Sequence, residues 1–80
     1  MRKIKVKVAS KKQGQIKIDT DFIRLDSALK LSDLVESGGH AKAVIQDGEV
    51  KVNGEICLQR GKKLRAGDNF EYGLNVIEVV

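Results

Sequence analysis

The feature that most constrains this chain is a hydrophobic period that changes twice. Ile4, Val6 and Val8 alternate with Lys3, Lys5 and Lys7, and Ile16 and Ile18 continue that period of two over Gln15 to Asp19. Leu25, Ala28 and Leu29, then Ala41, Val44 and Ile45, fall instead at helical spacing. Val50 and Val52 return to a period of two, as do Phe70 and Tyr72. Alternation means one face of a strand is buried, and i, i+3, i+4 spacing means one face of a helix is buried. The order strands, two helices, strands predicts an α+β domain.

Turn residues divide these segments. Ser10 to Gly14 is polar and ends in glycine, which predicts a turn joining two strands into an N-terminal hairpin over about 1–22. The first helix is expected at about 26–34 with Asp26 as its N-cap. Ser37-Gly38-Gly39 then interrupts the helical pattern, and Ser37 or Gly38 opens the second helix. Asp47-Gly48 ends it, with glycine near the position that wants a left-handed backbone. Asn53-Gly54 between alternating Val50, Val52 and Ile56, Leu58 is the strongest hairpin signal in the chain. Ala66-Gly67-Asp68 reads as another turn, and Val76 to Val80 as a last strand. With 80 residues, one domain is expected, without internal repeats or linkers.

Charge narrows the partner. The formal net charge is +4, and it is unevenly spread. Residues 1–17 carry Arg2, Lys3, Lys5, Lys7, Lys11, Lys12 and Lys17 with no acid among them. Arg60, Lys62, Lys63 and Arg65 form a second, denser cluster. Two basic patches on a mixed background are the footprint of a polyanion partner. Because no acid stands near the second cluster before Asp68, its side chains are expected to face phosphates.

Other chemistries find little support. A chain this short has little room for a deep pocket around a small-molecule substrate. Cys57 is the single cysteine and lies in an apolar strand pattern, so it reads as a small buried hydrophobe. A catalytic thiol needs a base beside it, and His40, the one histidine, lies on another element. One Cys and one His fall short of a four-ligand metal set. Capping and solvated charge account for Asp26 and Asp33. No catalytic residue, metal or cofactor is therefore expected. No segment approaches the roughly 20 apolar residues of a membrane span, and the alternating N-terminus does not fit a signal peptide, so a cytoplasmic location is expected.

Arg24-Leu25-Asp26, Ala41-Lys42, Ile45, Gly48, Val50, Val52, Asn53-Gly54 and Leu64-Arg65-Ala66-Gly67-Asp68 follow one order and spacing. Over about residues 23–72 the chain resembles the S-four RNA-binding domain, also called the alpha-L motif, of the type found in ribosomal small-subunit protein four. Ser37-Gly38-Gly39-His40-Ala41-Lys42 and Arg60-Gly61-Lys62-Lys63-Leu64-Arg65 resemble its branch of small stand-alone bacterial proteins. The resemblance implies two short helices packed on a small, bent, mostly antiparallel sheet. The N-terminal hairpin (1–22) would be an addition, and 73–80 would close the domain with a strand. It also implies RNA lying along the helix pair and the adjoining loop. In that family catalysis usually resides in a second domain, such as a pseudouridine synthase, so this chain is expected not to be an enzyme.

The expected RNA-binding residues are Arg24, Lys30, Gly38, Gly39, His40, Lys42, Lys51, Arg60, Lys62, Lys63 and Arg65. Arg24 matches the arginine that precedes the family's first helix, and arginine can bind phosphate bidentately or stack on a base. Lys30 lies one turn further on. Gly38-Gly39 at a helix start offer unpaired amides and the helix dipole to a phosphate, with close backbone approach. His40 and Lys42 would add donors from the same turn. Many family members carry a basic residue where Gly38 stands, so this chain supplies one contact fewer there. Lys51 should point outward, because Val50 and Val52 point inward.

Phe22, Phe70 and Tyr72 are the only aromatic residues, and two of them are expected in the core. Too few remain for stacking platforms, which favours structured RNA, ribosomal or transfer, read by shape and backbone charge, with the ribosome as a candidate context. A protein-interaction adaptor using the edge of residues 2–8 is the alternative. A role in ribosome-associated quality control is a second one, although relatives of that kind tend to carry basic residues at the Gly38-Gly39 positions.

Overall fold

The computed structural model describes residues 11–80. Strand β1 is Lys12–Ile16 and β2 is Ile23–Arg24; α1 is Leu25–Leu31 and α2 is Gly38–Gln46. Then follow β3 (Val50–Val52), β4 (Glu55–Ile56), β5 (Lys63–Leu64), β6 (Asn69–Tyr72) and β7 (Asn75–Val79). The fold is α+β, as the two changes of period require. Five strands form one sheet in the order β1-β7-β6-β3-β4, and β2 pairs with β5 in a separate two-stranded ladder. Ladders β3–β4, β3–β6 and β6–β7 are antiparallel. Ladder β1–β7 is parallel, from Lys12 opposite Asn75 to Ile16 opposite Val79.

The two helices pack on each other, and their apolar faces join those of the strands in one core. Leu25, Ala28, Leu29, Ala41, Ile45, Val50, Leu64, Phe70 and Val79 are completely buried, with Ile16, Val35, Val44, Val52 and Ile77 nearly so. Of the aromatics, only Phe70 is fully inside. Tyr72 is half-buried against the core, and Phe22 is half-buried. Cys57 is half-buried rather than buried. Among the described residues no helix is long and apolar enough to cross a membrane.

Both helices end in the same device. At α2, the Gly48 amide bonds Ile45 C=O at 3.1 Å and the Glu49 amide bonds Val44 C=O at 3.0 Å, with Gly48 at φ +78°. At α1, the Asp33 amide bonds Lys30 C=O at 3.0 Å and the Leu34 amide bonds Leu29 C=O at 3.1 Å. Both are Schellman closures, which satisfy the last free carbonyls of a helix. In α1 the left-handed position is filled by Asp33, φ +61°, instead of glycine.

Several expectations need correction. The first helix stops at Leu31, not 34, because the left-handed turn at Asp33 breaks it, while α2 opens at Gly38 behind its Ser37 cap as expected. The N-cap of α1 is Arg24, whose side chain makes no cap bond, and Asp26 sits inside the first turn. Of the segment read as a turn, Ser10 to Gly14, the residues Lys12 to Gly14 lie within β1, and Ser10 falls outside the described residues. Gly14 serves there as a place of close approach: a Cβ on it would lie 2.9 Å from Ile77 Cδ1. The strand at residues 2–8, and with it the pairing of the N-terminal hairpin, falls outside the described residues. The return strand after Asn53-Gly54 is only two residues long, and Leu58 lies beyond it.

Candidate nucleic-acid interface

The basic loop is built onto the start of α1. In the β2–β5 ladder Ile23 pairs with Leu64 and Arg24 with Lys63. Leu64 is buried and Ile23 packs on the core, so the neighbouring pair of a pleated ladder projects outward. The first two amides of α1 would otherwise lack partners. The Leu25 amide donates to Lys62 C=O at 2.8 Å, and the Asp26 amide donates to Arg60 C=O at 3.1 Å. The segment carrying Arg60, Lys62 and Lys63 is thereby fixed to the helix that Arg24 precedes.

Side chains reinforce this arrangement. The Arg24 guanidinium lies over Gly61: a Cβ there would sit 3.5 Å from Nη2 and 3.8 Å from Cζ. Arg24 Nη2 also meets Asp26 Oδ2 at 3.3 Å, with the arginine side chain 53% exposed. A pair so exposed orients the guanidinium more than it neutralises it. Lys63 and Arg65 flank buried Leu64 in extended chain and so share a face. Both lie over the Phe22 ring, Lys63 Nζ at 4.8 Å and Arg65 Cζ at 6.0 Å from its centroid. Cation–π attraction at an exposed site is worth about 0.5–1 kcal/mol, enough to bias two flexible side chains.

On the far side, Asp68 braces the loop. Its Oδ2 accepts the Arg65 backbone N–H at 2.8 Å, and its Oδ1 accepts the Asn53 amide at 3.1 Å. The Arg65 amide bond, then the Asn53 bond, hold this carboxyl below its usual value, and the charges of Lys62 and Arg65 add to that, against a smaller desolvation effect. Asp68 and Asp26 are thus the acids bonded into this region, both in fixed positions.

A second group stands at the start of α2. Ser37 is the N-cap, its Oγ accepting the His40 amide at 3.1 Å. The Gly38 and Gly39 amides belong to the first turn, which has no intrahelical acceptors. A Cβ on Gly38 would meet nothing within 4 Å, and one on Gly39 only Ser37 Oγ at 3.9 Å, so this backbone is open to approach. The His40 ring is tethered twice. Its Nδ1 accepts the Glu36 amide at 3.3 Å, and its plane stands edge-on to Tyr72 with centroids 6.5 Å apart. A neutral ring accepting at Nδ1 carries its proton on Nε2, as a donor. Lys42 is exposed two residues on.

The structure therefore brings Arg24, Arg60, Lys62, Lys63 and Arg65 together around β2, β5 and the start of α1. It gathers Gly38, Gly39, His40 and Lys42 on one helical turn. No hydrogen bond or ion pair among the described residues links the two groups. Lys30, in the last turn of α1, and Lys51, on the outer face of β3, are exposed, and no side-chain hydrogen bond or ion pair among the described residues ties them to either group. Lys51 faces Glu71 across the ladder, and Glu71 is already paired with Lys11 at 2.7 Å. Sequence reasoning missed Phe22 as the platform under Lys63 and Arg65, and missed Asn53 and Asp68 as the brace. An aromatic two residues before Arg24 was the only available signal for the first.

A family model described as S4 domain matches residues 16–80. The chain is 46% identical over 66 residues to a Bacillus subtilis (strain 168) protein named "Probable ribosome maturation protein RlbA", a match covering 81% of this chain and 93% of that one. It is 34% identical over 58 residues to the Escherichia coli (strain K12) protein named "Putative RNA-binding protein YbcJ", covering 72% of this chain and 83% of that one.

Proposed function

The chain belongs to the S4 domain family of RNA-binding proteins, and on that premise we propose that it is a non-catalytic, cytoplasmic protein that grips structured RNA by backbone charge and shape. The observation that carries this reading is the attachment of the Arg60–Lys63 loop to α1 by the Leu25 and Asp26 amides. It holds three cations, Arg60, Lys62 and Lys63, beside Arg24 without neutralising them. In this reading phosphates lie on Arg24, Arg60, Lys62, Lys63 and Arg65. The open amides of Gly38 and Gly39, with His40 Nε2 and Lys42, take a further phosphate, and Lys30 and Lys51 add peripheral contacts.

Ribosomal RNA is the favoured target over transfer RNA. The support is the name of the Bacillus subtilis relative, which speaks of ribosome maturation. The test is fluorescence anisotropy with ribosomal RNA fragments and a transfer RNA over a range of salt. The five cations Arg24, Arg60, Lys62, Lys63 and Arg65 alone, at roughly 0.7 to 0.9 per phosphate contact, predict that log affinity falls with log salt at a slope of at least about −3.5 to −4.5, steeper as the further contacts engage. A flat salt response contradicts the reading.

A further inference from the structure

A groove beside the β3–β4 hairpin shares only Lys62 with the phosphate contacts above. It is open, has a volume of about 440 Å³, and is lined in part by Ile56, Leu58, Gln59 and Lys62. That volume lies in the range of small-ligand sites. Ile56 is 60% exposed and Leu58 61%, the most exposed large aliphatic side chains among the described residues, with Leu31 next at 58%. The two converge: a Cβ on Gly48 would lie 3.9 Å from Ile56 Cγ2 and 4.0 Å from Leu58 Cδ2. Single exposed apolar residues need no account, but a contiguous pair with a polar rim marks an interaction surface.

The rim indicates the occupant. The Gln59–Lys62 wall belongs to the same segment that carries Arg60, Lys62 and Lys63 on the proposed RNA face. Lys51 stands directly across the ladder from Ile56. The lining holds one cation, Lys62, which joins the apolar floor to the RNA face, and one acid, Glu55. Its groups match a nucleotide: flat apolar faces for Ile56 and Leu58, a hydrogen-bonding edge for the Gln59 amide, and an attached phosphate for Lys62. Paired bases hide these faces in the stack, so only an unpaired one can present them.

We propose that this groove receives the base of a bulged or looped nucleotide in the bound RNA. The base rests on Ile56 and Leu58, with Gln59 at its edge and its phosphate on Lys62. This rests on the RNA-binding reading and narrows it to RNA carrying an unpaired base beside a helix.

The test uses the full chain and two RNA hairpins with one stem sequence, one fully paired and one with a single bulged 2-aminopurine. The wild-type chain should bind the bulged RNA about five- to tenfold more tightly, the gain from removing a few tens of Å² of apolar surface from water at about 25 cal/mol per Å², and should change the 2-aminopurine emission. Ile56→Ser/Leu58→Ser, at positions more than half exposed, should melt as the wild type does. It should bind the paired stem with unchanged affinity and salt slope, and lose both the preference and the emission change. Equal wild-type binding of the two RNAs, or a preference retained by the double variant, overturns the groove while leaving salt-dependent RNA binding intact. Failure of both RNAs to bind overturns the underlying reading as well.

Discussion

Asn53 and Asp68, fifteen residues apart in sequence, hold each other at the base of the basic loop. Asn53 donates its side-chain amide to Asp68 Oδ1 at 3.1 Å and accepts the Asn69 backbone N–H on Oδ1 at 3.0 Å. Asn53 does this from a left-handed backbone, φ +51°, as the first central residue of a turn completed by Gly54 at φ +89°. Both signs match a type I′ hairpin turn. One residue therefore closes the β3–β4 hairpin and ties it to the turn before β6.

This brace makes stability depend on acid. Asp68 has a folded pKa below its unfolded value, chiefly through the Arg65 amide and then Asn53. Its contribution is fully present above an unfolded value of about 3.9 and is lost as pH falls through the lower folded value. Asp68→Asn should lower stability at pH 7 by about 1 kcal/mol, the order of one net hydrogen bond, solvent weakening the charge's share at this exposed position. It should also reduce the fall in stability below pH 4. Thermal melts of both proteins from pH 7 to pH 2 check this; identical acid limbs contradict it.

Asp33 gives a prediction of opposite sign. It closes α1 at φ +61°, where a side chain carries a steric cost that glycine avoids. Asp33→Gly should stabilise the domain by about 0.5 kcal/mol, part of the relief being offset by the greater freedom of glycine in the unfolded chain. Asp33→Val, β-branched in the left-handed region, should destabilise by about 1–2 kcal/mol. Denaturant midpoints for the two variants should fall on opposite sides of the wild type.

Phe22 should matter for RNA binding without itself touching phosphate. Phe22→Leu keeps apolar bulk but removes the ring under Lys63 and Arg65. RNA affinity should fall about two- to fivefold, corresponding to about 0.5–1 kcal/mol, while Phe22→Tyr keeps wild-type affinity. A purely packing role would lower the melting temperature of Phe22→Leu and leave affinity per folded molecule unchanged.

How much of this was legible depended on how local each signal was. Helix α2, its Ser37 cap, its Gly48 closure and the Asn53-Gly54 turn all follow from residues within a few positions of each other. The β2–β5 ladder does not. It is two residues long, too short for a period, yet it places Arg24 opposite Lys63. The parallel β1–β7 pairing joins the two ends of the described chain, and only the fit of Gly14 against Ile77 demands it. The end of α1 was misplaced because aspartate stands where glycine marks such turns. For the site, residue type and order sufficed to pick out the cations of 60–65. Which of them share a face, and what holds them, needed the tertiary pairing.

The account stands most directly on the charge of the loop fixed to α1. Lys62→Ala/Lys63→Ala/Arg65→Ala removes three exposed cations while leaving buried Leu64 in place. With the ribosomal RNA fragment bound most tightly by the wild type, affinity measured across salt should fall and the slope should become shallower by about 2 to 3, at roughly 0.7 to 0.9 per lost contact. The circular dichroism spectrum should not change. A variant that binds this RNA with wild-type affinity and wild-type slope would contradict the account.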